Sequence, residues 1–210
     1  MLLLATVVGS GIMGERLSGG NVAIALLANS IATGGTLVAI ILALGSVSGA
    51  HFNPAVTLAS AAERRTPWRE VPGYIAAQVA GAFAGVAAAH VMFGEPVFSI
   101  SQHPRAGGAQ MFSEFVATFG LLLVIWGAGR FRPDTIALVV GAYITSAYWF
   151  TASTSFANPA VTLARSMTNT FSGIRPVDAP AFIAAQLTGA FAATLLWSWL
   201  LPERKTIDVA

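Results

Sequence analysis

Polar residues in this 210-residue chain gather into short intervals, and between them run long stretches with hardly a charge. The segment from Val22 to Leu44 carries no Asp, Glu, Lys or Arg at all. Six such stretches are apparent, at about 1–17, 22–45, 71–93, 111–129, 134–152 and 179–201. A helix that crosses a bilayer takes roughly 20 mostly apolar residues. A membrane barrel built of strands would instead alternate apolar and polar residues in segments of about ten. The pattern therefore predicts an all-α membrane protein with six transmembrane helices. No basic segment precedes the first stretch, and Glu15-Arg16 comes directly after it, so it reads as a retained span rather than a cleaved leader.

Composition agrees with this picture. Hydrophobic residues make up 55% of the chain and charged residues 10%, against about a quarter charged in ordinary soluble domains. Cysteine is absent, so disulfides play no part. The charges are distributed unevenly. Arg64, Arg65 and Arg69 lie between the second and third spans, Arg130 and Arg132 between the fourth and fifth, and Arg204 and Lys205 after the sixth. All three segments fall on one side, whereas the other side holds only Arg16, Arg105, Arg165 and Arg175. The positive-inside rule makes the first side cytoplasmic, together with the C-terminus.

The chain also repeats itself. Asn53-Pro54-Ala55-Val56-Thr57-Leu58-Ala59 recurs as Asn158-Pro159-Ala160-Val161-Thr162-Leu163-Ala164. Farther on, the block Tyr74 to Ala84, with Gln78 near its centre, parallels Phe182 to Ala192 with Gln186. Leu2-Leu3-Leu4 likewise pairs with Leu121-Leu122-Leu123. These matches divide the chain into a first repeat at 1–93, a linker at 94–110, a second repeat at 111–201 and a cytoplasmic tail at 202–210. Three spans per half is an odd number, so the second half enters the membrane from the opposite face, as an inverted repeat does.

Each Asn-Pro-Ala sits between the second and third spans of its half, and the segment it opens is too short to cross. The expected half-helices are 53–64 and 158–168. Proline suits the first turn of a helix, and asparagine caps helix starts. Two half-helices dipping in from opposite faces would bring two N-termini together near the membrane centre. Their unsatisfied N–H groups and partial positive charge, with the side-chain donors of Asn53 and Asn158, would hold a passing oxygen and repel cations. Non-helical backbone at that depth requires burial or a water-filled cavity, and the segments 49–52 and 153–157 would supply carbonyls to its lining.

The paired motifs, the Ser48 to Thr57 segment, the Gln78 and Gln186 blocks and Ser113-Glu114-Phe115 resemble the aquaporin and glycerol-facilitator family over essentially the whole chain. The resemblance implies a passive channel for small neutral solutes and water rather than an enzyme. It also implies a homotetramer with one pore per subunit, set in the lipid bilayer of a bacterial inner membrane, with both termini cytoplasmic. No cofactor, metal ion or nucleic acid is expected.

In that family an arginine usually stands directly after the second Asn-Pro-Ala, but here the position is Val161. Counting back from the motifs puts the other filter positions at Thr33, Ser146 and Ser155. Four small uncharged side chains predict a wide, arginine-free aperture, since pore selectivity depends on diameter, lining donors and charge. Glycerol, urea and neutral metalloid hydroxides such as arsenous acid are the solutes suggested. Arg165, four residues beyond Val161, lies on the same helix face one turn farther out. It reads either as a positive vestibule or, as preferred, an interfacial arginine snorkelling to headgroups or capping carbonyls.

Glu114 is the acid inside a span. It is either a proton-coupling carboxylate or a buried acceptor holding the re-entrant loop, and the resemblance favours the second. The matching glutamate of the first half is absent, which fits a truncated start or an unusually short first span. His51, two residues before Asn53, reads as a pore-entrance or pH-sensing group, or equally as a hydrogen-bonded loop histidine. His90 and His103 have no ligand-like partners. Five tryptophans fall mostly near span ends, as interfacial anchors do. An enzyme is disfavoured because no nucleophile, base and acid set is present. A strict water channel, an ion-coupled transporter and a non-conducting scaffold remain as rivals.

Overall fold

A computed structural model describes residues 1–201, and the expected cytoplasmic tail at 202–210 lies outside the described residues. Among the described residues, six long helices form the bundle: α1 (Leu2–Leu17), α2 (Val22–Ser48), α4 (Val71–Phe93), α5 (Gly108–Phe131), α6 (Ile136–Phe150) and α8 (Ala179–Leu200). Two short ones, α3 (Pro54–Ala62) and α7 (Pro159–Arg165), come directly after the first residue of each Asn-Pro-Ala motif. Both are shorter than expected, because Glu63 and Ser166 already close them with backbone bonds to the preceding turn.

Among the described residues, four helical segments are long and apolar enough to cross a membrane on their own: Val22–Ser48, Trp68–Phe93, Gly108–Phe131 and Ala179–Leu200. α1 and α6 have 16 and 15 residues. At 1.5 Å per residue, 15 residues reach about 22 Å, less than the roughly 30 Å hydrocarbon core. A single 3-10 turn, Pro133–Thr135, extends α6 toward α5.

Local chemistry sets most element ends. The Asn21 side chain accepts from the N–H groups of Ala23 and Ile24 and so starts α2. Gly49 ends that helix in the left-handed region at φ 71°, which glycine adopts without steric cost. Pro54 and Pro159 each occupy the first position of a half-helix, where a missing N–H is no loss.

The packing of one half repeats in the other. α1 meets α2 and α4, and α5 meets α6 and α8 in the same way; α3 packs on α4 and α8, and α7 on α8 and α4. α2 and α6 face each other across the centre, as do α3 and α7. Close approach depends on small residues. A Cβ on Gly34 would overlap Thr145 and the Gly141 carbonyl across the α2–α6 contact, and one on Gly189 would overlap the Phe115 carbonyl between α5 and α8.

Charged residues mark the two ends of this bundle. At one end Arg16 of α1 pairs with Glu95 after α4 at 2.8 Å, and Arg105 and Arg175 both reach Asp178 at the start of α8. At the other end Arg65 stacks on Trp126 of α5, 4.8 Å from its ring centre, and Ser198 of α8 donates to Glu63. Trp68, Trp149 and Trp199 are exposed as anchors would be, but Trp126 and Trp197 are buried, the first under Arg65 at the cavity wall and the second edge-on to Phe131.

Candidate functional site

The two half-helices start against each other. The Nδ2 of Asn53 donates to the Ala157 carbonyl at 2.7 Å, and the Nδ2 of Asn158 donates to the Phe52 carbonyl at 2.8 Å. Each asparagine thus spends one amide proton on the opposite loop. Its own Oδ1 meanwhile caps the helix it begins: Asn53 accepts from Ala55, and Asn158 from Ala160 and Val161. Asn53, Pro54, Ala55, Asn158, Pro159 and Ala160 are all buried at this junction.

The loops leading in are held in backbone conformations that side chains rarely adopt. Ala50 and Phe52 have φ of 49° and 48°, and Ser155 and Ala157, the positions that match them in the repeat, have 51° and 47°. Non-glycine residues in this region are uncommon and persist where surrounding bonds hold them. In the second loop those bonds come from Glu114, which is fully buried. Its carboxylate accepts from the N–H groups of Phe156 at 2.9 Å and Ala157 at 2.8 Å, and from Gln186 Nε2 at 2.6 Å. Gln186 also donates to Thr162, whose hydroxyl returns to the Asn158 carbonyl. In the first loop Gln78, Thr57 and Asn53 repeat the same chain, with no carboxylate joined to it among the described residues.

A cavity of about 510 Å³ runs past this junction. Its wall is chemically two-sided. Leu3 and Val7 of α1, Thr33, Leu37 and Ile41 of α2, Leu121 and Ile125 of α5, and Val140, Ile144 and Tyr148 of α6 present strips spaced four residues apart. Apart from Thr33 and Tyr148 those strips are apolar. Opposite them stand the polar backbone segments 48–53 and 155–158 with His51, Asn53 and Asn158. Arg65, Thr66 and Glu70 lie toward one end and Arg165 toward the other. Glu114 is behind the wall rather than on it.

The residues expected to form a filter fare differently. Thr33, Ser155 and Val161 all line the cavity. Ser146 does not: it is exposed on the outer face of α6, where its hydroxyl donates to the Ala142 carbonyl. The helical strip through Val140 and Ile144 brings Tyr148 to the cavity instead, and its hydroxyl donates to Thr33 Oγ1 at 3.2 Å. Arg165 is not a snorkelling surface arginine. It is 2% exposed, lies on the cavity wall, and its Nε donates to the Ser172 carbonyl. Its guanidinium sits 3.4 Å from the centre of the Phe156 ring. An uncharged Val161 therefore does not leave the cavity without an arginine. The spacing of Val161 and Arg165 by one turn is a signal present in the sequence, but the depth of α7 is not.

His51 holds the first loop. Its Nδ1 lies 3.2 Å from Thr57 Oγ1, and its ring tilts against Tyr74. His90, to which the sequence assigns no role, is fully buried and pins the linker. Its Nδ1 lies within 2.9 Å of the Pro96 and Val97 carbonyls, and its Nε2 is 2.7 Å from Thr168 after α7. Two carbonyl neighbours require Nδ1 to carry the proton.

Arg105 of the linker braces the same region. It donates through Nε to the Gly173 carbonyl and through Nη1 to the Ser153 carbonyl. Burial pulls its guanidinium below the usual arginine range, with Glu114 acting in the opposite sense. Asp178 accepts from the Arg105 backbone N–H and from Arg175, and the Arg175 hydrogen bond holds its carboxyl below the ordinary carboxylate value.

Two half-helices joined tip to tip beside one continuous cavity, inside a bundle of apolar helices, define a multi-pass membrane channel. The chain belongs to the major intrinsic protein family, whose model matches residues 1–132 and 130–209. It is 55% identical over 206 residues to the aquaglyceroporin AqpS of Rhizobium meliloti (strain 1021), covering 98% of this chain and 88% of that one. Aquaporin NIP1-3 of Oryza sativa subsp. japonica is 39% identical over 140 residues, 63% of this chain and 49% of that protein. The X-ray structure of the aquaglyceroporin from Plasmodium falciparum shares the fold, with a TM-score of 0.66 at 20% identity over 93% of this chain and 90% of that one.

Proposed function

We propose that this protein is a passive channel for small uncharged polar solutes larger than water, with glycerol, urea and neutral metalloid hydroxides as candidates, and that it passes water as well. The observation that carries this reading is the two-sided cavity wall. A solute with a carbon backbone and hydroxyl groups can keep its apolar edge on the α1, α2, α5 and α6 strips while its oxygens face the loop segments and the two asparagines. Val161 supports a solute wider than water, because the position where the family usually places an arginine carries a short apolar side chain. The 55% identity to a protein named as an aquaglyceroporin points the same way.

Thr33, Ser155 and Val161, with Tyr148 in the place expected for Ser146, are the proposed constriction. We read the first and second repeats as inverted halves, both termini as cytoplasmic, and the assembly as a homotetramer in a bacterial inner membrane. An ion-coupled transporter is disfavoured by the fact that Glu114, the acid inside a span, already accepts three hydrogen bonds behind the wall.

Stopped-flow light scattering on proteoliposomes tests the reading directly. Glycerol and urea entry well above that of empty liposomes is expected. Fast water flux with glycerol excluded would reduce the protein to a strict water channel. Uptake driven by an imposed proton or sodium gradient would replace the channel with a coupled transporter.

A further inference from the structure

Arginine carries five N–H donors and no acceptor. At Arg165 one of the five, on Nε, is taken by the Ser172 carbonyl, and among the described residues the four on the terminal nitrogens meet no acceptor. A guanidinium so deeply buried is costly unless its donors are used, and this one lines the cavity. Beside it on the same wall, Ser155 Oγ is also buried without a partner among the described residues. Thr33 Oγ1 receives the Tyr148 hydroxyl and has its own proton left to donate. Unsatisfied donors from three elements thus converge on one end of the cavity, and a solute oxygen passing there would complete them.

The guanidinium is also fixed in place. It stacks on Phe156, whose backbone N–H is held by Glu114, and the Arg105 guanidinium lies 4.9 Å from the centre of the same ring. Stacking on an aromatic face and bonding through Nε leave an arginine little freedom.

We infer that Arg165 is the specificity-determining residue at this end of the channel. One turn beyond the Val161 position, it narrows the aperture and supplies the donors that select solutes bearing an acceptor oxygen, with Ser155 and Thr33 completing the contact. This rests on the proposed channel function. Arginine is therefore moved within the half-helix rather than lost, and Val161 widens only the segment between Arg165 and the asparagines.

The test compares wild type with Arg165→Gln and Arg165→Leu in proteoliposomes, measuring water, glycerol and erythritol fluxes on the same preparations. Glutamine keeps a donor for the Ser172 carbonyl, so it guards against a fold failure in the leucine variant. In both variants erythritol flux relative to glycerol should rise on the order of tenfold, because the shorter side chain no longer narrows the aperture against the longer solute. An unchanged erythritol-to-glycerol ratio in a water-conducting Arg165→Gln channel would overturn the inference. A wild-type protein that conducts none of the three would instead overturn the channel function itself.

Discussion

The two re-entrant loops carry the same seven-residue motif but are secured by different means. The second is anchored by a carboxylate: Glu114 takes two of its backbone N–H groups, and Gln186 and Thr162 close the circuit to the Asn158 carbonyl. The first has the glutamine and threonine but no acid, and relies on His51 and Tyr74 instead, the latter donating to the Ser48 carbonyl. Beside it lies a second cavity of about 680 Å³, bordered by Phe52, Tyr74 and Gln78. Because Asn53 and Asn158 each bond the other loop, the braced half also steadies the unbraced one. Identical motifs therefore do not imply identical stability.

The largest effect that would break this comparison is expected from Glu114→Ala. Two buried N–H groups and Gln186 would lose their acceptor at once, a cost of roughly 3–5 kcal/mol. Thermal unfolding in detergent should show that loss, and a variant as stable as wild type would mean that Glu114 does not brace the loop. Next, Gln186→Ala should cost about 1–3 kcal/mol and Gln78→Ala about 1 kcal/mol or less, since Gln186 joins two groups and Gln78 one. Equal costs in the same assay would erase the distinction between the halves. A smaller difference separates the asparagines. Asn158→Ala removes a cap bonded to two N–H groups and Asn53→Ala a cap bonded to one, so the former should be less stable by up to about 1 kcal/mol.

The smallest effect concerns pH. Asp178 has a carboxyl held below its unfolded value of about 3.9, so its contribution is complete above that value and falls away as pH drops through the lower folded value. Asp178→Asn should flatten the stability profile only at the acid end, while stability above neutrality stays level. A change in slope above neutrality would assign the pH dependence to other groups.

Much of this architecture is legible in the chain. The internal repeat locates both half-helices, and the apolar stretches match the six long helices to within a few residues. The features that escape a sequence reading depend on geometry that spacing does not encode. Counting back from Asn158 reaches Ser146 only through a loop where Thr154, Ser155 and Ala157 all have positive φ. Backbone in that conformation does not advance like an extended strand or a helix, so residue number stops tracking depth. The i, i+4 strip of Val140, Ile144 and Tyr148 is the better guide, because helical periodicity survives where counting across a loop fails. Arg165 departs from expectation for a related reason. An arginine near a helix end usually snorkels, but here the linker folds back over α7, with Ser99 and Ser101 bonding to the Met167 and Ser166 carbonyls, and closes the way out.

The crossed asparagines carry one further consequence. With one amide proton of each spent on the facing loop, the second is left for whatever occupies the cavity. A water molecule between Asn53 and Asn158 would then have both lone pairs engaged by protein donors and could only donate to its two neighbours. A proton relay along a file of waters needs every member to accept from one side and pass on to the other. In such a file the molecule at the middle would be unable to take that part, and the relay would be interrupted there by orientation.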